Sequence, residues 1–387
     1  IPATTAGSDL DMDLGFSDEQ DMLRKVARDF LAKECPEALV AAMETDALGY
    51  SPDLWARMAE LGWQGLAIPE QYGGSGLGIQ DLAVLLEEFG RALVPGPFLS
   101  TVVHVGTALL LGGSDDQKRE YLPRLVSGEL VGGVAYLEAS GQLRPEGVQL
   151  AATPDGDGYV LDGTKLFVEN AAAANLLVVA ARTGGVGADG LSLFLVDPTI
   201  PGVAVTPLET LAGDKQAEVA LSGVRVPASA LLGGEGQGGQ VLARVQLAAA
   251  VAECAYLVGL VAQDLDITVD YVKHREQFGR PIGGFQAVAH KAADMVIDVD
   301  ACRFVMYRAA WALDEDEPDA AFHVSVAKSF ISEASLRVVS HGQQLHGGIG
   351  FTREYKIHRY FLRQKAGELR WGDGDFHRAR VADALGI

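Results

Sequence analysis

Four long stretches of helical periodicity in the C-terminal part of the chain constrain its fold more than any other feature. Helices of this length that follow one another through short connections pack most readily as an antiparallel bundle. The acidic segment 314–319 is expected to form a loop. We therefore predict a helical bundle over residues 234–387. Its candidate helices are 238–273, 285–314, 320–346 and 355–385.

The middle segment, residues 131–233, has a different periodicity. It contains short runs of β-branched and aromatic residues separated by turn signals such as Asp162-Gly163 and Pro201-Gly202. Because no long helical pattern separates these runs, antiparallel pairing is favoured over β-α-β units. We expect a small antiparallel β-domain whose strands include 159–161, 176–180, 191–196, 203–205 and 219–226.

Residues 16–130 again show helical periodicity. Ser17 and Gln20 form the pattern of a capping box, and Ser51-Pro52 places proline at the first position of another helix. This segment is predicted to be an N-terminal helical domain. The expected fold class is therefore mainly α with a middle β-domain, divided into residues 16–130, 131–233 and 234–387.

Charge and composition exclude several functional classes. The 387 residues include 52 acidic and 31 basic side chains, a net charge of −21, so nucleic acid is not an expected partner. The longest apolar stretch, 247–262, is interrupted by Glu253 and is shorter than the roughly 18–20 residues that span a bilayer. Residues 1–15 lack the basic and apolar regions of a signal peptide. We expect a cytoplasmic protein without a membrane segment.

Common site motifs are weak or missing in the sequence. Residues 234–239 match G-x-G-x-x-G before a helix, but no parallel β-α-β unit surrounds them, so a linker is favoured over a dinucleotide fingerprint. The eight histidines include no H-E-x-x-H pattern, and no metal site is expected. A G-x-S-x-G nucleophile motif is absent too, which disfavours a hydrolase.

Two segments carry stronger patterns. Arg275-Glu-Gln-Phe278-Gly279 is followed by Gln286, and it joins two candidate helices. Gln344-Leu-His-Gly347-Gly348-Ile-Gly-Phe351 lies at the end of a third. Glycines at a helix end let a ligand approach the backbone closely, because no Cβ stands in the way. Taken separately, each segment could also be helix-capping glycines beside an ordinary loop aromatic residue.

Together, in this order and architecture, the two segments resemble the acyl-CoA dehydrogenase family of FAD-dependent flavoproteins. The resemblance covers the chain from Phe16 to its end. It implies an acyl-CoA dehydrogenase-like fold whose C-terminal domain is a four-helix bundle, acyl-CoA as substrate, FAD as cofactor and an electron-transfer protein as acceptor. It also implies that FAD is contacted by Arg275, Phe278 and Gln286, with Gln344, Gly347 and Gly348 reaching the FAD of a neighbouring subunit.

The same resemblance implies oligomers, either homomeric or with a related subunit. A guanidinium and glycine N–H groups suit a diphosphate, which supports the assignment of both segments to FAD. Arg244 matches the family's arginine near bound acyl-CoA, and its alternative role is a surface ion pair.

The family's catalytic base is not retained. In most members a glutamate near the C-terminus removes the α-proton, and its position falls here on Gly372. The position that some members use instead, early in the first bundle helix, is Ala243. Neither side chain accepts a proton. With a one-residue shift Asp373 would replace the glutamate, and the alternative is that it is a solvated or capping aspartate.

The flavin-facing strands also depart from the family pattern. Phe167 could still cover a face of the flavin, but Glu169 places a carboxylate where the family usually has a hydroxyl. An anion there would oppose the negative charge of reduced flavin, unless Glu169 simply points to solvent.

The expected function is FAD-dependent α,β-desaturation of an acyl-CoA thioester. The departures from the family pattern affect the catalytic base and the flavin-facing strands, but not the residues expected to contact the diphosphate. This pattern resembles subunits of heteromeric acyl-CoA dehydrogenases in fatty acid or steroid side-chain catabolism. A self-sufficient divergent enzyme and a partner subunit both remain open. The alternatives are a catalytically silent structural subunit and a non-dehydrogenating flavin enzyme on the same fold.

Overall fold

The computed structural model describes residues 15–387. The expectation about a targeting segment rests on residues that lie outside this range, apart from Gly15. Ser17 and Gln20 form the predicted capping box at the first helix, and the Ser51 hydroxyl caps the helix that begins at Pro52. The N-terminal domain consists of α1 (Asp18–Glu34), α2 (Glu37–Thr45), α3 (Pro52–Glu60), α4 (Ile79–Ala92), α5 (Gly106–Gly112) and α6 (Asp115–Val126).

An eight-stranded sheet follows. Its strands are β1 (Gly132–Ala135), β2 (Ala151–Asp155), β3 (Gly158–Glu169), β4 (Leu176–Arg182), β5 (Leu191–Val196), β6 (Val203–Leu208), β7 (Gln216–Pro227) and β8 (Leu231–Leu232). The strand order is β6-β7-β3-β2-β4-β5-β8, with β1 added beside β4. Most pairs are antiparallel, as expected.

The expectation of a purely antiparallel sheet is wrong along the inner strand β4, which pairs in parallel with β2 at Ala151 and Arg182 and also with β1. Strand β1 pairs with β4 in parallel, with Gly132 opposite Leu176 and Ala135 opposite Val179. The chain forms β2 and β3 between these two strands, so it returns through a crossover and not through a hairpin. The four residues of β1 are fully buried and include two glycines, and they carry no alternation that a sequence pattern could reveal.

The C-terminal bundle contains five helices. These are α7 (Gly238–His274), α8 (Gln286–Asp314), α9 (Ala320–His346), α10 (Ile357–Leu369) and α11 (Gly374–Leu385). A single helix over 355–385 is therefore wrong. Trp371 and Gly372 have φ angles of 56° and 103°, which no α-helix accommodates, and Asp373 then caps α11.

The central helix α7 packs against α4 without intervening side chains. A Cβ on Gly259 would lie 1.7 Å from the carbonyl oxygen of Glu87, and one on Gly90 would lie 1.9 Å from that of Tyr256. Glycine at both positions lets the two backbones touch. By length and composition α7 could cross a membrane, but 89% of its apolar window is buried inside the protein. Its apolar character is accounted for by its place in the core.

Residues 234–237 connect β8 to α7, as expected, and Gly238 and Gly239 begin the helix. Strand β8, just before this connection, pairs antiparallel with β5, so no parallel β-α-β unit surrounds these glycines. A Cβ on Gly238 would lie 2.6 Å from the backbone carbon of Ser192, so this glycine lets α7 begin against the sheet. The expected fold class, mainly α with a middle β-domain, is confirmed.

Candidate functional site

A cavity of about 910 Å³ lies between the sheet and the helices α10 and α11. Tyr136 follows β1 into its wall, and Phe167 near the end of β3 is 52% exposed with a φ of 56°. The loop 209–215 between β6 and β7 and the break between α10 and α11 complete the wall. Its side chains are mainly apolar, and they include Val134, Leu137, Leu143, Leu211, Phe361, Leu362, Leu369 and Phe376.

A buried group of charges forms part of this wall. The Arg370 guanidinium donates a hydrogen bond of 2.7 Å to the Asp214 carboxylate. Glu253 from α7 lies 3.6 Å from the same guanidinium, and Glu169 at the end of β3 lies 3.8 Å from its Nε atom. Arg370 Nε has no hydrogen-bond partner within the described residues. One cation thus faces three carboxyl groups, and only Asp214 is bound tightly. We call these four residues the Arg370 cluster.

The pKa values of two of the cluster carboxyls, Glu169 and Asp214, are shifted in opposite directions. Burial raises the pKa of Glu169 to about 7, against the partial opposition of Arg370. Burial also acts on Asp214, but the charge and hydrogen bond of Arg370 hold its pKa at about 2. The Glu169 side chain is 16% exposed and faces the cluster, so the expectation that it points to solvent is wrong. It also lines the cavity, which is the position from which an ionised carboxylate would oppose the negative charge of a reduced flavin.

The ring of Trp371 occupies the junction of the sheet and the bundle. It stacks on Tyr136 with ring centroids 4.7 Å apart and planes 14° apart, and it meets the edge of His104 at 4.6 Å. Burial, together with the charge of Arg370, lowers the pKa of His104 to about 3, so this imidazole is neutral. The chain segment that follows α10 is therefore held in place by aromatic contacts.

Gly372, at the expected position of the base, has no room for a side chain. A Cβ there would lie 2.4 Å from the ring of Phe376 and 2.8 Å from Nε2 of His377. Asp373 lines the cavity, and its Oδ1 accepts a hydrogen bond of 2.9 Å from the Phe376 N–H. It is thus a helix-capping aspartate, which was the alternative interpretation, and its role as a base stays a prediction.

The residues predicted to contact FAD fall into two places. Phe167 lines the cavity with Glu169 and Asp373. The other predicted contacts do not line it, and they lie at the ends of α7 and α9. These two ends meet, because the Tyr271 ring stacks on His346 at 4.3 Å. The residues outside the cavity wall are Arg275, Phe278, Gln286, Gln344, Gly347 and Gly348, all exposed. We call this end of the bundle the clamp face.

The clamp face is open in this chain. Phe278 is 91% exposed and has a φ of 54°. A Cβ on Gly347 or Gly348 would meet nothing within 4 Å. The side chain of Arg275 is exposed and has no ion-pair partner within residues 15–387. These groups are available to a molecule that lies outside the protomer.

The predicted substrate residue Arg244 is not brought to the cavity. It is exposed near the start of α7 and forms an ion pair of 2.7 Å with Asp316, in the loop between α8 and α9. Ala243 is exposed beside it. The structure thus favours the alternative interpretation of Arg244 as a surface ion pair.

Sequence reasoning missed Arg370, Asp214, Glu253 and His104 as members of one site. Only Glu253 left a usable signal, because a carboxylate within the apolar stretch 247–262 requires a buried partner. The other three come from a loop, a helix end and the segment before α5, and nothing in their local sequence indicates that they meet.

Comparisons with known proteins match most of the chain to one family. Residues 17–129 match the acyl-CoA dehydrogenase N-terminal domain, 138–224 the middle domain and 237–386 the C-terminal domain. A probable acyl-CoA dehydrogenase of Bacillus subtilis, YngJ, is 33% identical, and the match covers 97% of this chain and 100% of that protein.

Solved structures show the same architecture. A variant of the steroid ACAD Tcur3481-Tcur3483 is 36% identical with a TM-score of 0.85, and the match covers 95% of this chain and 98% of that one. The ChsE4-ChsE5 complex from Mycobacterium tuberculosis is 29% identical with a TM-score of 0.88, covering 97% and 99%. Other solved relatives include complexes with FAD. The chain therefore belongs to the acyl-CoA dehydrogenase family, whose cofactor is FAD.

Proposed function

We propose that this protein is a subunit of a heteromeric FAD-dependent acyl-CoA dehydrogenase that introduces an α,β double bond into a bulky acyl-CoA thioester. The observation that carries the proposal is the closed position of Gly372. Its positive φ and its contacts with Phe376 and His377 leave no place for the family's glutamate. A related chain that retains this glutamate would supply the base.

The residues present fit FAD. The cavity is within the size range of ligand sites, and it offers Phe167 and an apolar wall to a planar ring. At the clamp face the unpaired Arg275 guanidinium suits a diphosphate, and the open glycines admit close approach to backbone N–H groups. FAD would supply the hydride acceptor.

The division between cavity and clamp face supports an oligomer. Helix α10 is 13 residues long, which corresponds to about 20 Å. The cavity lies along its C-terminal half, whereas Tyr355, just before its first turn, packs against His346 at the clamp face. In an assembly, the clamp face of one subunit would serve the cofactor of its neighbour. An electron-transfer protein is the proposed acceptor.

Within this proposal each part of the chain has a defined task. Arg275, Gln286 and Gln344 hold the cofactor. The aromatic stack of Trp371, Tyr136 and His104 excludes water from the inner wall of the cavity. The apolar side chains of α10 and the exposed Leu211 accept the acyl group.

The test compares the purified chain alone with the chain co-expressed with a related subunit that has glutamate at the aligned position. Steroid side-chain and fatty acyl-CoA thioesters are added anaerobically, and bleaching of the flavin absorbance is measured. Bleaching only in the co-expressed pair supports the proposal. Full bleaching in the lone chain would establish a self-sufficient enzyme. A pair that holds FAD but never bleaches with any thioester would indicate a silent structural subunit or another flavin reaction.

A further inference from the structure

Glu169 stands on the boundary between two cavities. It lines the cavity of about 910 Å³, and it also lines a smaller one of about 80 Å³ between the N-terminal domain and the bundle. The two cavities have a short segment of wall in common. Its members are Glu169, Ala212, Asp214, Ala366 and Arg370.

The charges around Glu169 do not balance. The neighbouring β6–β7 loop contributes Asp214, helix α7 contributes Glu253, and the end of α10 contributes Arg370. If all three carboxyls were ionised, the Arg370 cluster would carry two net negative charges in a buried wall. The neighbouring His104 is neutral and offers no compensation. Other titratable groups that line the two cavities are Tyr136, Arg144, Lys215, Tyr256, Arg363, Lys365 and Asp373.

The hydrogen bonds show that Asp214 is not the carboxyl that relieves this imbalance. Asp214 accepts from Arg370 at 2.7 Å and from Gln216 at 2.6 Å, so it is an anion with two donors. Glu169 stands 3.8 Å from an Arg370 nitrogen that makes no hydrogen bond within the described residues. A fully ionised carboxylate beside a free guanidinium N–H would be expected to close that distance. The geometry thus fits a carboxyl that holds its proton. Glu253 also lacks a hydrogen bond to Arg370, but of the two only Glu169 lines the cavities, so it is the one placed to exchange a proton with them.

We propose that Glu169 is a proton site in the cavity wall, which exchanges a proton with solvent and takes one up when negative charge develops on FAD bound in the cavity. This inference rests on the proposed function only in placing FAD there, and it requires no acyl-CoA chemistry. The repulsion expected between an ionised Glu169 and reduced flavin is then avoided by protonation. Its raised pKa, near neutrality, places the exchange in the range where cells work.

The first experiment addresses the proton itself. Infrared spectra of the purified flavin-containing protein are recorded across pH 5–9, and the band of a protonated carboxyl is compared between wild type and Glu169→Gln. The wild type should show a carboxyl band that disappears around pH 7. The variant should lack it. A wild type that shows no such band at any pH would overturn the proposal.

The second experiment measures the coupling to charge. The bound flavin is reduced with dithionite in weak buffer containing a pH indicator. Dithionite is oxidised to sulfite as FAD accepts two electrons, and a Glu169 carboxylate oxygen gains a proton from solvent. At about pH 8 the wild type should take up as much as one proton more per flavin than Glu169→Gln, and at about pH 5 the two should agree. Dithionite oxidation releases the same number of protons with the wild type and with the variant. The difference in proton uptake between them therefore reports only the proton taken up by Glu169.

A matched control separates the proton site from the rest of the cluster. Glu253 belongs to the same cluster but lines neither cavity. Glu253→Gln removes a repulsive charge, so the extra proton uptake should persist and move to lower pH. Equal uptake in wild type and Glu169→Gln at every pH would overturn the proposal. Failure of the protein to desaturate any acyl-CoA would bear only on the proposed function, since dithionite replaces the substrate.

Discussion

Trp371 lies flat against Tyr136, with their ring centroids 4.7 Å apart and their planes inclined by 14°. Tyr136 directly follows the parallel strand β1, and Trp371 lies just after the end of α10. Their contact fixes the break between α10 and α11 onto the sheet, immediately before the position where relatives are expected to hold their catalytic glutamate. The segment that carries the expected position of the base is therefore held against the sheet on one side and lines the cavity on the other.

Substitutions at Gly372, including one by glutamate, should destabilise the folded protein. Gly372→Ala would place a Cβ within 2.4 Å of Phe376 at a φ of 103°, and we expect a loss of about 2–4 kcal/mol in the free energy of unfolding, with Gly372→Glu at least as costly. Gly141 also has a positive φ, but a Cβ there meets nothing within 4 Å. Gly141→Ala should cost only about 1–2 kcal/mol in chemical denaturation. Equal costs at the two positions would contradict the packing argument.

Asp373 can be tested as a cap and as a base with two substitutions. Because asparagine caps helices about as well as aspartate, Asp373→Asn should leave the stability nearly unchanged, whereas Asp373→Ala should lose about 0.5–2 kcal/mol. Thermal or denaturant unfolding checks this. If the lone chain bleaches with acyl-CoA, Asp373→Asn should abolish the bleaching while thioester binding persists. Bleaching that survives this change would remove Asp373 from the mechanism.

Arg275 is predicted to hold the FAD diphosphate. Arg275→Ala should weaken FAD retention by about 1.5–3 kcal/mol, because a charge-assisted contact is lost. Flavin content and affinity are measured by absorbance and by titration of the flavin-free protein. Arg280 is a neighbouring exposed arginine whose guanidinium lies 4.2 Å from the Phe285 ring, and Arg280→Ala serves as the control. Similar losses in both variants would indicate a general charge effect.

The pH dependence of stability should report Glu169 and Asp214 with opposite signs. Burial raises the pKa of Glu169 from its usual 4.5 to about 7, so the folded protein binds this proton more tightly than the unfolded chain. Its stabilising contribution is complete below about pH 4.5 and is lost as the pH rises through 7. Relative to wild type, Glu169→Gln should gain up to about 3 kcal/mol between pH 5 and pH 8.

Asp214 provides the opposite case. Arg370 holds the pKa of Asp214 at about 2, below its usual 3.8, so its contribution is present above about pH 4 and is lost as the pH falls toward 2. Asp214→Asn should therefore be destabilised relative to wild type at neutral pH and approach it in acid. Denaturant unfolding across the pH range measures both variants. Parallel profiles for the two would refute the assignment of charges in the cluster.

The functional unit should contain at least two chains. Exposed apolar side chains follow one side of α8, including Val296, Ile297 and Phe304, and the clamp face is open. Light scattering of the flavin-containing protein at micromolar concentration should report a dimer or tetramer, either of this chain or with a related subunit. A stable monomer that retains a full complement of FAD would contradict the shared site.

The sequence allowed the bundle to be predicted better than the site. Helices α7, α8 and α9 are long stretches without proline, separated by short turn-forming or acidic segments, so their extents could be predicted closely. The break at Trp371 could not, because a positive φ at tryptophan depends on the stacking with Tyr136 and His104, which are distant in sequence. Strand β1 was missed because its partner lies beyond two intervening strands.

The Arg370 cluster shows why charges are harder to place than helices. Periodicity indicates which face of an element is buried, but not which buried side chains meet. Glu169 was singled out from the family pattern, yet its orientation depends on Arg370 and Asp214, which come from two other parts of the chain. The predicted clamp residues could be singled out because their pattern lies in two short continuous segments, and their contacts with FAD stay a prediction.

The contact of α4 with α7 at Gly90 and Gly259 has a mechanical consequence. Where two backbones touch directly, no side chain can change rotamer to let them slide, so the N-terminal domain and the bundle move as one body. Opening of the cavity then depends on elements that lack such a contact. Within the loop 209–215, Asp214 is bound to Arg370, whereas Leu211 is 90% exposed, so we expect the tip of this loop to be the part of the cavity wall that moves most readily.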